Sequence, residues 1–244
     1  SLIARLWQPD SILEIDEKNY LSFSPRLIRF GSSGLAGVWA EENTRESIYN
    51  AFRRKETFGT SGPRIKVRFF AGYNFENSNL NDQDLIQEAY SKNIPMGGDI
   101  IQEKGKNPRF LVWAISDPLG APLQRVQIIK GWLADGEQRE KVFDVACSDG
   151  QSVNPLSHRC PDNGAKVNLD DCSISREKGN AEIKTFWQDP EFSNDQEAFY
   201  YARVLENPTC RWSTWDAVRA EEKPRSDIPV TIQERAWSSP IWIK

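Results

Sequence analysis

"LQRVQIIKGWLADGEQREKVFDVA", residues 123–146, decides the fold class. Two runs rich in Val, Ile, Phe and Trp, Leu123–Leu133 and Gln138–Ala146, flank "ADGE". Asp135-Gly136 is a two-residue hairpin signal, because Gly takes a positive φ freely and Asp tolerates one. The stretch therefore predicts two long antiparallel strands closed by a tight turn.

The same pattern extends in both directions. Upstream, Arg64–Phe70 ("RIKVRFF") puts Ile65, Val67 and Phe69 on one side and Arg64, Lys66 and Arg68 on the other. Arg109–Ser116 is a further strand. Downstream, Glu182–Trp187, Ala198–Glu206 and Ala236–Ile243 complete a set of about seven strands with little helix between them. An antiparallel β-sandwich is the economical way to bury such strands. A short amphipathic helix is predicted at Asp82–Ser91.

The N-terminal quarter differs. Ser1–Gly34 lacks a sustained period, and "WQPD" and "SFSPR" read as turns. Helix is predicted from Asn43 to Lys55, with Ile48, Ala51, Phe52 and the stem of Lys55 on one face. Asn43 and Glu46 have capping-box spacing. "FGTSGP" then breaks the helix. The chain thus divides into 1–62, too short and irregular to bury its own core, and a sandwich over 63–244 with a Cys-rich loop at 147–172.

Composition narrows the function classes. The 244 residues carry a net charge of −4, which offers no electrostatic case for nucleic acid. No apolar run approaches the roughly 20 residues of a membrane span. The chain starts at Ser1 without Met or a signal-like segment, which suggests trimming or processing. Cys147, Cys160, Cys172 and Cys210 are even in number, lack CxxC spacing and bracket a loop rich in Asp, Asn, Ser, Gly and Pro. Two disulfides, each worth about 2–4 kcal/mol, are the simplest reading, with three connectivities open. They point to a periplasmic or extracellular location.

Four constellations carry possible chemistry. Glu41, Glu42, Asn43, Arg45 and Arg64 are candidate cleft residues; capping accounts for Asn43 and Glu46 but not for Arg45, whose guanidinium offers a fork for an anionic group. A zinc or iron centre usually needs several His, and the chain has only His158. A calcium site from Asp162, Asn163, Asp170 and Asp171 competes with their ordinary role as turn formers. Ser61 in "GTSGP" misses the nucleophile-elbow spacing. Trp212, Trp215, Trp237 and Trp242, with Tyr200 and Tyr201, form an aromatic set suited either to core packing or to stacking on sugars.

Long blocks of the sequence resemble the C-terminal half of a bacterial family, domain of unknown function 3604. They are "SSGLAGVWAEENTRESIYNAFRRKETFGTSGPRIKVRFF" (32–70), "APLQRVQIIKGW" (121–132), "VFDVACSDG" (142–150), "FYYARVLENPTCRWSTWDA" (199–217) and "QERAWSSPIW" (233–242). The resemblance implies kinship with the polymerase-and-histidinol-phosphatase (PHP) metal-dependent hydrolases. In that group a β/α barrel holds metal through His and Asp and hydrolyses phosphate or other esters. Helix Glu46–Lys55 and the segment Thr60–Pro63 would close that barrel. The expected His-x-His and Asp-x-His motifs match no position here and would lie upstream of Ser1. The resemblance thus implies an exported hydrolase whose divalent metal sits in the N-terminal half, the main partner of this chain, with no cofactor or metal in the chain itself. The alternative is a stand-alone sandwich binding module for glycans.

Overall fold

A computed structural model of the chain describes residues 12–15, 17–21, 29–31, 33–75, 79–194 and 196–244. The fold is mainly β. The strands in chain order are β1 (Ile12–Ile15), β2 (Lys18–Leu21), β3 (Leu35–Val38), β4 (Thr57–Thr60), β5 (Lys66–Gly72), β6 (Ile94–Pro95), β7 (Asp99–Ile100) and β8 (Arg109–Ile115). They continue with β9 (Leu123–Ala134), β10 (Glu137–Cys147), β11 (Glu182–Gln188), β12 (Ala198–Glu206), β13 (Thr209–Cys210), β14 (Thr231–Ile232), β15 (Arg235–Ser238) and β16 (Ile241–Ile243). Helices α1 (Arg45–Arg53), α2 (Leu85–Lys92) and α3 (Trp212–Arg219) complete the described elements.

An eight-stranded sheet runs β10-β9-β12-β15-β4-β3, with β16 also on β12 and β7 on β16. A four-stranded sheet runs β11-β8-β5-β6. All pairings are antiparallel except β7 with β16. The β9–β10 hairpin turns at Asp135 (φ 54°) and Gly136 (φ 78°), both left-handed as a type I′ turn requires.

The core lies between the sheets, and strand alternation fills it. Ile65, Val67 and Phe69 from the β5 segment and Phe110 and Val112 from β8 meet Val126 and Ile128 of β9 and Tyr200, Ala202 and Val204 of β12. Phe110 packs on Tyr200 at 4.7 Å between ring centroids. Each such fully buried large side chain is worth about 1.5–3 kcal/mol. On the far side of the small sheet Phe70 and Leu111 are covered by Leu85 and Ala89 of α2, making a third layer.

One ion pair is sealed inside. Lys130 Nζ lies 2.7 Å from Asp189 Oδ2, with side-chain exposures of 4% and 0%. Every group around it has a partner. The Tyr200 hydroxyl donates to Asp189 at 2.8 Å, the Glu191 N–H donates to the other carboxylate oxygen, and Lys130 also donates to the Glu191 carbonyl. Satisfaction of this kind makes a buried charge tolerable.

The N-terminal region departs from the sequence expectation in four ways. The helix cap is Thr44, not Asn43: its extended backbone lets the hydroxyl accept the Ser47 N–H, while Ser47 Oγ accepts the Glu42 N–H. Lys55 lies outside the helix at φ 58°, where its N–H donates to the Phe52 carbonyl and the Glu56 N–H to the Ala51 carbonyl. That is a Schellman ending with Lys in the usual glycine position. Phe52, assigned to the packed face, is half exposed. The "FGTSGP" breaker contains β4, paired with β3 on one side and β15 on the other. Phe58 can lie across this hairpin only because residue 37 is Gly, where a Cβ would come within 2.3 Å of the ring.

The expectation of an irregular Ser1–Gly34 gives way in part to the β1–β2 hairpin, whereas "WQPD" and "SFSPR" lie outside the described residues. Residues 33–62 are tied to the sandwich. The Trp39 indole N–H donates to the Val67 carbonyl at 2.8 Å, and the Tyr90 hydroxyl donates to the buried Glu56.

The cysteines form Cys147–Cys160 and Cys172–Cys210. They hold a loop organised by polar hubs. Asp144, fully buried, accepts from Gln127, the Cys160 N–H and Arg125, and Asn163 donates to Ser148 and Asn207. No helix among the described residues is long and apolar enough to cross a membrane.

Replacing Lys130 by Met leaves Asp189 buried without its counter-charge. Urea unfolding of that variant is expected to show a loss of about 3–5 kcal/mol. Replacing Cys147 and Cys160 together by Ser is expected to cost about 2–4 kcal/mol, read from the same transition.

Candidate functional site

Strand β12 alternates strictly, with Ala198, Tyr200, Ala202 and Val204 buried, and Glu206 is the next residue in the series. A bulge between Leu205 and Glu206 shifts the register there. Glu206 consequently enters the buried side at the end of the core, where the strands give way to loops. It is 1% exposed. Its Oε2 accepts the Ala121 N–H at 3.3 Å, and its Oε1 has no hydrogen-bond partner.

Glu234 stands across from it. The Glu206 N–H donates to the Glu234 carbonyl at 3.0 Å, and Glu234 Oε2 is likewise buried without a partner. Leaving a buried polar atom unpaired costs about 1–3 kcal/mol. Both residues line one cavity of about 660 Å³. The rest of the lining includes Gly120, Thr209, Arg176, Trp215 and the Cys172–Cys210 disulfide. Gly120 is required: a Cβ there would stand 2.8 Å from Glu206 Oε1.

Ionisation differs sharply around this cavity. Burial, reinforced by the nearby Asp117 and Glu234 charges, pushes the Glu206 carboxyl up to about 8. Asp117 goes the other way. Burial opposes its charge, but the N–H groups of Arg64 (2.7 Å) and Leu119 (2.9 Å) donate to its two oxygens, and with the Arg64 charge they hold it below the usual carboxylate range. At neutral pH Glu206 is thus a neutral acid that both donates and accepts, while Asp117 is an anion engaged by backbone.

The structure separates the residues singled out in the sequence. Arg64 is exposed just past Gly62 and Pro63 at the rim of this cavity. Glu41 and Glu42 line a shallow depression of about 260 Å³ beside Thr44 and Arg54, and Asn43 and Arg45 are exposed nearby. These two groups lie at opposite ends of β4, since Val38 pairs with Thr57 and Leu35 with Thr60. The aromatic set divides as well. Tyr200 is core, Trp215 lines the Glu206 cavity, and Trp242 packs with Phe199 at 5.0 Å on the outer face of the large sheet. Trp212 donates to the Phe30 carbonyl. Trp237 lies opposite Gly59 and Arg203.

Other candidates have structural roles. Ser61 Oγ accepts the Arg235 N–H at 2.8 Å. His158 packs edge-on against Phe143. Asp162 and Asp171 accept the N–H of Gly164 and Ser173, two residues on, and the Asn163 amide sits in the Asp149–Asn207 network. Among the described residues no three His, Cys, Asp or Glu side chains are grouped to hold a metal ion. With both Asp117 oxygens engaged by backbone, the carboxylates at the cavity do not fit one either. Glu206, Glu234 and Asp117 were missed in the sequence. The available signal was a Glu that continues the in-facing series of an otherwise apolar strand.

Fold and cavity together define a disulfide-stapled, mainly β domain. A family model described as "Protein of unknown function (DUF3604)" matches residues 8–244, and the chain belongs to that family. The match takes in N-terminal residues that the blocks resembling the family leave out. No curated protein and no solved structure matches the chain.

Because Glu206 keeps its proton in the folded chain and loses it near 4.5 when unfolded, the folded state is destabilised progressively as pH rises from about 4.5 to 8. The loss is up to about 1.4 kcal/mol per pH unit. Glu206→Gln is expected to melt close to the parent at pH 4 and clearly higher at pH 8, measured by thermal unfolding at both.

Proposed function

We propose that this chain is the C-terminal part of an exported, PHP-like metal-dependent hydrolase, in which it supports the barrel and shapes the substrate cleft. The observation that carries this reading is the Glu206–Glu234 cavity: a concave, partly polar site with unpaired buried acceptors and no nucleophile–base pair of its own. Such a site grips a substrate and leaves bond cleavage to groups elsewhere. Its volume falls in the roughly 300–1,000 Å³ range of small-molecule pockets.

On this reading the divalent metal is held by His and Asp of a barrel outside residues 1–244, which is the chain's principal partner, and the substrate is an ester. Arg64, at the cavity rim beside Asp117, faces the anionic end of that substrate. The two disulfides support a periplasmic or extracellular location, because such bonds persist in oxidising compartments.

The purified chain is expected to show no turnover of p-nitrophenyl phosphate or p-nitrophenyl acetate. A longer product of the same gene, carrying a His-x-His barrel, is expected to turn over one of them with added Mn²⁺ or Zn²⁺. Arg64→Ala in that product should raise KM more than it lowers kcat. Hydrolysis by the 244-residue chain alone, or a gene that encodes no such barrel, would refute the reading.

A further inference from the structure

We propose that the cavity beneath Cys172–Cys210 binds a polyhydroxylated ligand, a sugar or polyol, through Glu206 and Glu234, with Trp215 as its apolar wall. The assignment rests on reading this cavity as part of the cleft; it names what the cleft holds.

Two side chains present unsatisfied oxygens on one wall. Glu206 Oε1 and Glu234 Oε2 are buried and unpaired, and a backbone hydrogen bond from Glu206 to Glu234 keeps the two residues together. Glu206 is anchored through its other oxygen by the Ala121 N–H, so the free oxygen has a set direction. Gly120 makes room for that oxygen, since a Cβ there would stand 2.8 Å from it. The cavity therefore presents an oriented polar edge rather than a loose acidic surface.

The charge inside it favours the uncharged, hydroxyl-bearing part of a ligand, any anionic group being left at the Arg64 rim. Asp117 and Asp171 are acidic neighbours whose carboxylates already accept backbone N–H groups. Arg176 donates to the Gly120 carbonyl and Arg64 stands beside Asp117. An anionic group deep in the cavity would meet Glu234 and Asp117, and among the described residues no side chains are grouped to hold a metal ion. A ligand hydroxyl, in contrast, both donates and accepts, which matches a glutamic acid facing a second glutamate.

Trp215 supplies the remaining element. It is 37% exposed, lines the same cavity as the carboxyl groups and carries the Arg219 guanidinium 5.4 Å from its ring centroid. An indole beside hydrogen-bonding carboxyl groups suits the alternating C–H and O–H faces of a sugar ring.

The test is titration calorimetry of the 244-residue chain with glucose, galactose, xylose, glucuronate and myo-inositol, each to 50 mM. At least one is expected to bind. Trp215→Ala and Glu206→Leu should each weaken that binding about tenfold or more. Glu206→Gln, which keeps a donor and an acceptor, should retain most of it, and Trp242→Ala, on the other face, should leave it unchanged. Circular dichroism and thermal melts establish that each variant is folded. Should Glu206→Leu fail to fold, Trp215→Ala and Glu206→Gln decide the matter. No binding of any of the five to the folded chain overturns the proposal, as does binding indifferent to Trp215 or lost with Trp242. Preference for putrescine or choline over the five overturns it in favour of a cation site. Because the readout is binding to this chain, its failure is separate from failure of the hydrolase reading.

Discussion

Strand β12 is hydrogen-bonded along both edges, to β9 on one side and to β15 and β16 on the other. A strand held that way cannot slip by one residue without turning its whole apolar set outward. The rest of the architecture follows from that constraint. Tyr200, Ala202 and Val204 face the small sheet, and the same alternation carries Tyr200 to the Lys130–Asp189 pair near one end and Glu206 into the cavity at the other. Both ends bury a carboxylate. At one end every oxygen is satisfied by Lys130, Tyr200 and backbone, and that site serves stability. At the other, two oxygens are left without partners, and it is there that we propose a ligand binds.

The Cys-rich loop belongs to the same plan. It has little apolar surface to bury, so it is held by Cys147–Cys160, by the buried Asp144 carboxylate and by the Asn163 amide. The second disulfide joins the loop to β13, a few residues beyond Glu206, and forms part of the cavity wall. A covalent staple that an oxidising compartment permits is thus also a piece of the site. The β3–β4 hairpin is part of the large sheet through β15, and Trp39 and Glu56 add hydrogen bonds with Val67 and Tyr90.

Much of this was legible in the sequence where one physical signal dominated. The Asp135-Gly136 hairpin, the in-facing set of β5 and the span of β12 follow from left-handed turn preference and period-two burial, which are local. Misreadings came where local signals compete. Asn43 and Thr44 are both good caps, and only the backbone decided that Thr44 takes the role. Gly59 suggested a break, yet it sits in a strand opposite Trp237, because pairing on both sides outweighs its low strand propensity.

The sequence by itself determined a β-rich chain with paired cysteines, no membrane-length apolar run and a recognisable family. Composition, alternation and turn chemistry act over a few residues and need no knowledge of partners. Only the tertiary structure decided which cysteines pair, that Arg64 and Glu41 lie at opposite ends of β4, and that Glu206, Glu234 and Asp117 converge. The carboxylates come from three distant segments, and their convergence depends on strand register and on the space left by Gly120. Burial and proximity set whether a carboxyl keeps its proton, and both belong to the assembled fold.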